Sequence, residues 1–257
     1  MKKYLISIEN EGSERLTKFF AQEVFNAERY EFKKIGIKGA ELTVKEYFNQ
    51  AVAGHDKALT PSELGCTLSH LEALKDFLNS SEQYAVVFED DAIQNGKFAL
   101  ADVEKCIDNL GLESCFFLSL GGIQLRHNQK VKGTFYPKLM LERNILKVHA
   151  YYYHKFVYAY AYIVDRKMAE ILLRYHSTPQ VFDHWAGVSC MEPNINLYAT
   201  YLFDHPPVND LEADSYLEAE RIKNSHDVKL NHHSHKFSQR LLKNLIKLSL
   251  KSYQVKP

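Results

Sequence analysis

Two rhythms of apolar positions alternate along the chain. At 4–8, 84–88, 116–120 and 156–164 the apolar residues run together, which predicts strands buried on both faces. Between these runs they recur at helical spacing: Leu16, Phe19, Phe20 and Val24 after Ser13, then Leu64, Leu68, Leu71 and Leu78. The same spacing returns in Leu100, Val103, Ile107 and Leu110, and in Met168, Ile171, Leu172 and Tyr175 after a capping Asp165. Further extended stretches are predicted at 30–37 and 195–202. Alternating strands and helices predict an α/β fold.

The firmest helix start lies at 59–63. Thr60 can cap, Pro61 suits the first helical position, and Glu63 completes a capping box. Cys66, Ser69, His70 and Ala73 make a second, small or polar face on that helix. Segment 126–155 breaks the rhythm, with seven Lys or Arg against the single acid Glu142 and no clean period. A connection of that length is usually functional or mobile.

The chain has 257 residues, 46% apolar and 25% charged, which fits a globular protein with a sizeable core. No apolar run approaches the roughly 18 residues of a membrane-spanning helix. The first one ends at Glu9, too short for a secretory leader. Cys66, Cys106, Cys115 and Cys190 show no paired spacing, so ordinary thiols and a cytoplasmic location are expected. Lys and Arg balance Asp and Glu at 32 each, but residues 221–257 alone carry a net +8 and residues 1–220 a net −8. We therefore divide the chain into a body, 1–220, and a basic tail, 221–257. In the tail, Leu241, Leu245 and Leu248 form a stripe flanked by Arg240, Lys243, Lys247 and Lys251. A basic amphipathic helix of this kind suits an anionic membrane surface.

Walker A, dinucleotide-fingerprint, zincin and nucleophile-elbow motifs are all missing from the sequence. What stands out is Glu89-Asp90-Asp91 at the end of an apolar strand, where ligands of open α/β sheets bind. Adjacent carboxylates repel one another, and a hard divalent ion completed by a substrate diphosphate relieves the repulsion. An acidic turn in solvent is the plainer alternative.

Leu59-Thr60-Pro61-Ser62-Glu63-Leu64-Gly65-Cys66-Thr67-Leu68-Ser69-His70 followed by Val87-Phe88-Glu89-Asp90-Asp91 resembles glycosyltransferase family 25. Ser13-Glu14-Arg15, Ala161-Tyr162-Ile163-Val164 and Asp183-His184-Trp185 extend the resemblance over about residues 3–208. It implies a GT-A-like, Rossmann-type mixed sheet flanked by helices, here with a basic C-terminal helical tail. It also implies inverting transfer of a hexose, usually galactose, from a UDP-sugar to a lipopolysaccharide or lipooligosaccharide core, with Mn2+ (or Mg2+) as cofactor. Two departures stand out: Lys38 precedes Gly39 where the family often has an acid, and the strand near Tyr160 lacks a preceding Gly-Thr.

On this reading Asp91 holds the metal, Glu89 and Asp90 assist on the donor side, and His205 is a further ligand or an ordinary loop histidine. Asp183 is the base for the acceptor hydroxyl or a helix N-cap. Trp185 stacks on a sugar or fills core. Ser69 and His70 approach the donor nucleotide or pack helix on sheet, and Asn10 and Arg15 are further nucleotide contacts. Lys130, Lys132, Arg143 and Lys147 belong to an acceptor-side lid facing an anionic glycolipid. A nucleic-acid partner is not expected, because the body is acidic. Two other readings remain open: a nucleotidyl or phosphoryl transferase, and an inactive sugar-binding domain of the same fold.

Overall fold

The computed structural model describes residues 1–206 and 249–254. The first half contains β1 (Lys2–Ile6), α1 (Glu14–Ala21), α2 (Glu23–Asn26), β2 (Phe32–Ile35), α3 (Val44–Tyr47), α4 (Pro61–Leu78), β3 (Tyr84–Glu89), β4 (Ile93–Gln94) and α5 (Leu100–Leu110). The second adds β5 (Phe116–Gly121), β6 (Lys132–Phe135), β7 (Leu146–Val148), β8 (Ala161–Asp165), α6 (Arg166–Tyr175), α7 (Trp185–Met191), β9 (Asn196–Asp204) and β10 (Lys251–Ser252).

The strands form one mixed sheet in the order β10-β6-β7-β9-β5-β8-β3-β1-β2, with β4 on β9. β1 runs parallel to β2 and β3, and β5 parallel to β9, while β8 is inserted antiparallel between β3 and β5. The expected GT-A-like α/β arrangement, a mixed sheet flanked by helices, is the one the chain forms.

Residue alternation along the central strands explains the layers. Tyr4, Ile6, Ala85, Val87, Tyr162 and Val164 face a core shared with α4, α6 and α7. Leu5, Val86, Phe88, Ile163 and Leu118 face the opposite core, shared with α1, α2 and α5. Each fully buried Leu or Phe contributes about 1.5–3 kcal/mol, which is why continuous apolar runs are needed where both faces are covered.

Helix α4 begins with the predicted capping box: Thr60 Oγ1 accepts from Glu63 N at 3.1 Å, and Glu63 Oε2 from Thr60 N at 3.0 Å. Its small face is as buried as its leucine face. Gly65 lies against the loop after β2, where a Cβ would stand 2.5 Å from the Ile37 carbonyl. Ser69 Oγ then accepts from Ile37 N–H at 2.8 Å. Helix α1 stops at Ala21, so Val24 of the predicted stripe belongs to α2.

Segment 126–155, expected to be an irregular connection, contributes two strands. It is built into the sheet as β6 and β7, with Val131, Leu146, Val148, Tyr152 and Tyr153 buried, because apolar positions are interleaved with its basic ones. Lys147 pairs with Glu113 at 2.5 Å. Most of the predicted tail helix, including Leu241, Leu245 and Leu248, and the boundary at 220 lie outside the described residues. Lys251 sits in β10, paired with Gly133 of β6 rather than on a helix, and Leu250 and Tyr253 pack against the core.

Candidate active site

The carboxyl ends of β1, β3 and β9 meet the entry to β8. Because Ile6 is in register with Glu89, the next residues, Ser7 and Asp90, face each other, and the Ser7 hydroxyl donates to Asp90 Oδ2. Ser13 caps α1 by accepting from Leu16 N, which brings Arg15 of the first turn over the same point. Its Nε donates to Asp90 Oδ1 and its Nη2 to Asp91 Oδ2 at 2.9 Å. Beside this pair opens a cleft of about 570 Å³, lined among others by Arg15, Lys18, Phe19, Gln22, Asp91 and Pro206.

His205 follows β9, and its Nε2 lies 3.3 Å from Asp91 Oδ2. Its Nδ1 is 2.8 Å from the Pro206 carbonyl. A carbonyl only accepts, so the proton sits on Nδ1 and Nε2 is turned toward the carboxylate. That backbone contact is the kind that orients metal-binding histidines. Asp91 Oδ1 is buried and has no hydrogen-bond partner among the described residues. A divalent cation fits this donor set: one carboxylate with an unsatisfied oxygen, and one imidazole already aimed at it.

The two aspartates are tuned apart. Burial raises the pKa of Asp90 despite Arg15 and Ser7. Burial also opposes ionisation of Asp91, but His205, by hydrogen bond and charge, and then Arg15 hold its pKa below the usual value. Burial would lower the pKa of His205, yet Asp91 raises it. Environment gives neighbouring carboxylates different roles.

Glu89 departs from its neighbours. It is the last residue of β3 and falls on the α4 face with Ala85 and Val87, so its Oε1 meets His70 Nε2 at 3.3 Å instead of joining Asp91. His70 is wholly buried, with Nδ1 3.0 Å from Tyr162 Oη and its ring stacked on Phe182 at 4.4 Å. Ser69 is 1% exposed, and besides accepting from Ile37 its hydroxyl donates to the Gly65 carbonyl at 2.7 Å. For Ser69 the helix-packing alternative holds.

Asp183 is not the N-cap of α7; that position is His184, and Asp183 Oδ2 accepts from Tyr158 N–H at 2.9 Å. Tyr158 has φ +76°, a left-handed conformation costly for an aromatic residue, and its Oη is 2.6 Å from His127 Nδ1. Trp185 does not offer a face to a sugar. It is 1% exposed and packed 4.4 Å from Phe117, because the start of α7 turns it under the sheet. Lys132 opens β6, and the registers Thr134–Lys147 and Lys147–Tyr198 place it toward the start of β9, the opposite end of that strand from His205 and Asp91. Lys130 is exposed at the end of a 3-10 turn, Arg126–Lys130, and Asn10 is exposed on the turn before α1.

Ser7, Tyr158, Tyr160 and Gln124 were not singled out from the sequence. Tyr160 passes its carbonyl to Glu89 N at 2.7 Å, and its ring lies 5.0 Å from that of His205. Gln124 reaches Tyr160 Oη and Asp204. The available signal was Gly121-Gly122: a Cβ on Gly121 would stand 2.2 Å from Tyr160 Oη, so the pair marks a close approach.

A mixed sheet flanked by helices, with an acidic, histidine-backed site at the carboxyl ends of its strands, defines an α/β domain of GT-A-like arrangement. The model of glycosyltransferase family 25 (LPS biosynthesis protein) matches residues 1–185, and the chain belongs to this family. It is accordingly a glycosyltransferase of lipopolysaccharide biosynthesis, with a nucleotide-sugar donor and a lipopolysaccharide acceptor. No curated protein matches the chain. The family match includes Arg15, Asp90, Asp91 and Asp183 but ends before His205.

Proposed function

We propose that the chain transfers a hexose, most simply galactose, from a UDP-sugar to a lipooligosaccharide or lipopolysaccharide core hydroxyl, with inversion and with a divalent cation. The observation that carries the reading is the buried Asp91 Oδ1, unpartnered among the described residues, beside a histidine whose Nε2 is aimed at the same carboxylate. Asp91 and His205 would hold Mn2+ or Mg2+, which as a Lewis acid offsets negative charge on the departing diphosphate. Arg15 adds a fixed positive charge at the cleft wall, and the Ser7 hydroxyl keeps Asp90 turned toward Arg15. Asp183 accepts the proton of the acceptor hydroxyl, with one of its oxygens held by Tyr158 N–H. The cleft suits the nucleotide, and acceptor binding falls to the rim around Tyr158 and His127. The enzyme works in the cytoplasm, where nucleotide sugars are made, and the basic tail holds it against the anionic inner leaflet.

A second reading has one observation in its favour: Arg15 already bridges Asp90 and Asp91. On that reading the guanidinium takes the place of a cation. A screen of UDP-sugars for released UDP, with Mn2+ and with chelator, separates the two. The first predicts turnover that requires Mn2+ and falls at least a hundredfold in Asp91→Ala. Full turnover in chelator favours the second, and no turnover with any UDP-sugar rejects both.

A further inference from the structure

On the opposite side of the β3 terminus from Arg15, three different donors converge. Cys66 and His70 stand one turn apart on α4, and Glu89 approaches from β3. Their ligand atoms all lie within 4.8 Å of one another. We propose that the Cys66 thiolate, the His70 imidazole and the Glu89 carboxylate form a second divalent-cation site, suited by its sulfur ligand to Zn2+ rather than to Mn2+ or Mg2+.

Geometry, rigidity and donor chemistry agree on this. Two ligands of a tetrahedral ion with bonds of about 2.1 Å stand roughly 3.4 Å apart. His70 Nε2 and Glu89 Oε1 are separated by 3.3 Å, long for a hydrogen bond and right for that chord. Spacing of i and i+4 on a helix puts two ligands on one face. The imidazole cannot swing, because Phe182 stacks on it and Tyr162 Oη stands 3.0 Å from Nδ1. A phenol that accepts from Nδ1–H leaves the Nε2 lone pair for a metal, the usual outer support of a metal-bound histidine. Glu89 is fixed through its backbone N–H to the Tyr160 carbonyl. Thiolate and imidazole select borderline-soft ions, whereas the Asp91 site has no sulfur donor.

Binding is an exchange of a proton for the ion. The thiol proton leaves as the cation enters, the neutral imidazole keeps its single proton on Nδ1 toward Tyr162 Oη and offers the Nε2 lone pair, and no electron moves. The Glu89 side chain is 26% exposed, so the carboxylate corner of the site borders solvent. This site goes beyond the proposed reaction and does not depend on it.

Cobalt is the probe, because a cobalt–thiolate bond absorbs in the near ultraviolet and carboxylate or imidazole ligands alone do not. Full-length chain stripped with chelator is titrated with Co2+, then with Zn2+. We expect a charge-transfer band that Zn2+ abolishes, that is lost in Cys66→Ser and that survives in Asp91→Asn. In parallel, Zn2+ should slow alkylation of Cys66 at least tenfold in the unmutated chain, read by peptide mass spectrometry, while Cys190 is unaffected. The second measurement needs no variant to fold. No band in the unmutated chain, a band unchanged in Cys66→Ser, a band lost in a folded Asp91→Asn, or no protection of Cys66 would each overturn the proposal.

Discussion

His205 Nε2 stands 3.3 Å from Asp91 Oδ2 while its Nδ1 is committed to the Pro206 carbonyl. The two groups shift each other's titration in opposite directions, His205 upward and Asp91 downward. For His205 the stabilisation is fully present below the unfolded pKa of 6.5 and disappears as pH rises through the raised folded value. For Asp91 it is present above the unfolded 3.8 and disappears as pH falls through the lowered value. The pair therefore stabilises the metal-free protein in mildly acidic solution.

Cation binding has the reverse dependence, since a metal must displace the proton from Nε2. Mn2+ affinity should rise about tenfold per pH unit up to the raised pKa of His205 and then level off. His205→Ala should bind more weakly and show a flat profile over that range. Titration of bound Mn2+ by electron paramagnetic resonance checks this, and pH-independent affinity in the unmutated chain would remove His205 as a ligand.

Asp183 and Tyr158 give a separable test of proton acceptance against positioning. Asparagine at 183 retains an oxygen that accepts from Tyr158 N–H, so the left-handed turn is preserved while the basic oxygen is lost. Asp183→Asn should lower kcat by about 10²–10⁴-fold, the usual contribution of a general base, with little change in the KM for donor. Asp183→Ala should in addition lose roughly 1–3 kcal/mol of stability, because the Tyr158 amide loses its partner. Unchanged kcat in Asp183→Asn would leave Asp183 as a positioning residue.

Much of the fold was legible because its cause is local. The continuous run at 84–88 required a strand covered on both faces, and the Thr60–Glu63 pair specified a helix start, where the structure places both. The strands of segment 126–155 were hidden: Val131, Leu146 and Val148 are interleaved with its lysines, and strands of three or four residues give too few repeats to show a period. At the site, the adjacency of Glu89, Asp90 and Asp91 suggested one ligand cluster. Strand alternation sends Glu89 to His70, and only the turn that follows leaves Asp90 and Asp91 beside Arg15. Ser7 was hidden for a related reason: its role comes from the β1–β3 register, which no single segment encodes. Trp185 shows the limit of residue type, since stacking on sugar and filling core use the same ring.

His176 supplies an acid limit to the fold that leads back to the site. It is 3% exposed at the end of α6, its Nδ1 accepts from Gln180 N–H at 3.2 Å, and its Nε2 is buried without a partner among the described residues. Burial pushes its pKa down to about 4 against the opposing pull of the Phe182 backbone, and the nearby His184 and His70 act in the same direction as burial. For a base held neutral the sign is definite: the unfolded chain takes up a proton near pH 6.5 and the folded chain only near 4, so stability drains away as pH falls between them. At pH 4.5 this amounts to about 2–3 kcal/mol. The ring lies nearly parallel to Phe182, 5.8 Å away, and Phe182 in turn stacks on His70 and precedes Asp183. His176→Asn keeps an acceptor for Gln180 and removes the titration. Urea unfolding at pH 7 and pH 4.5 should show the unmutated chain losing about 2–3 kcal/mol more than His176→Asn over that interval. Equal losses in the two proteins would mean that His176 is not the group that sets the acid limit.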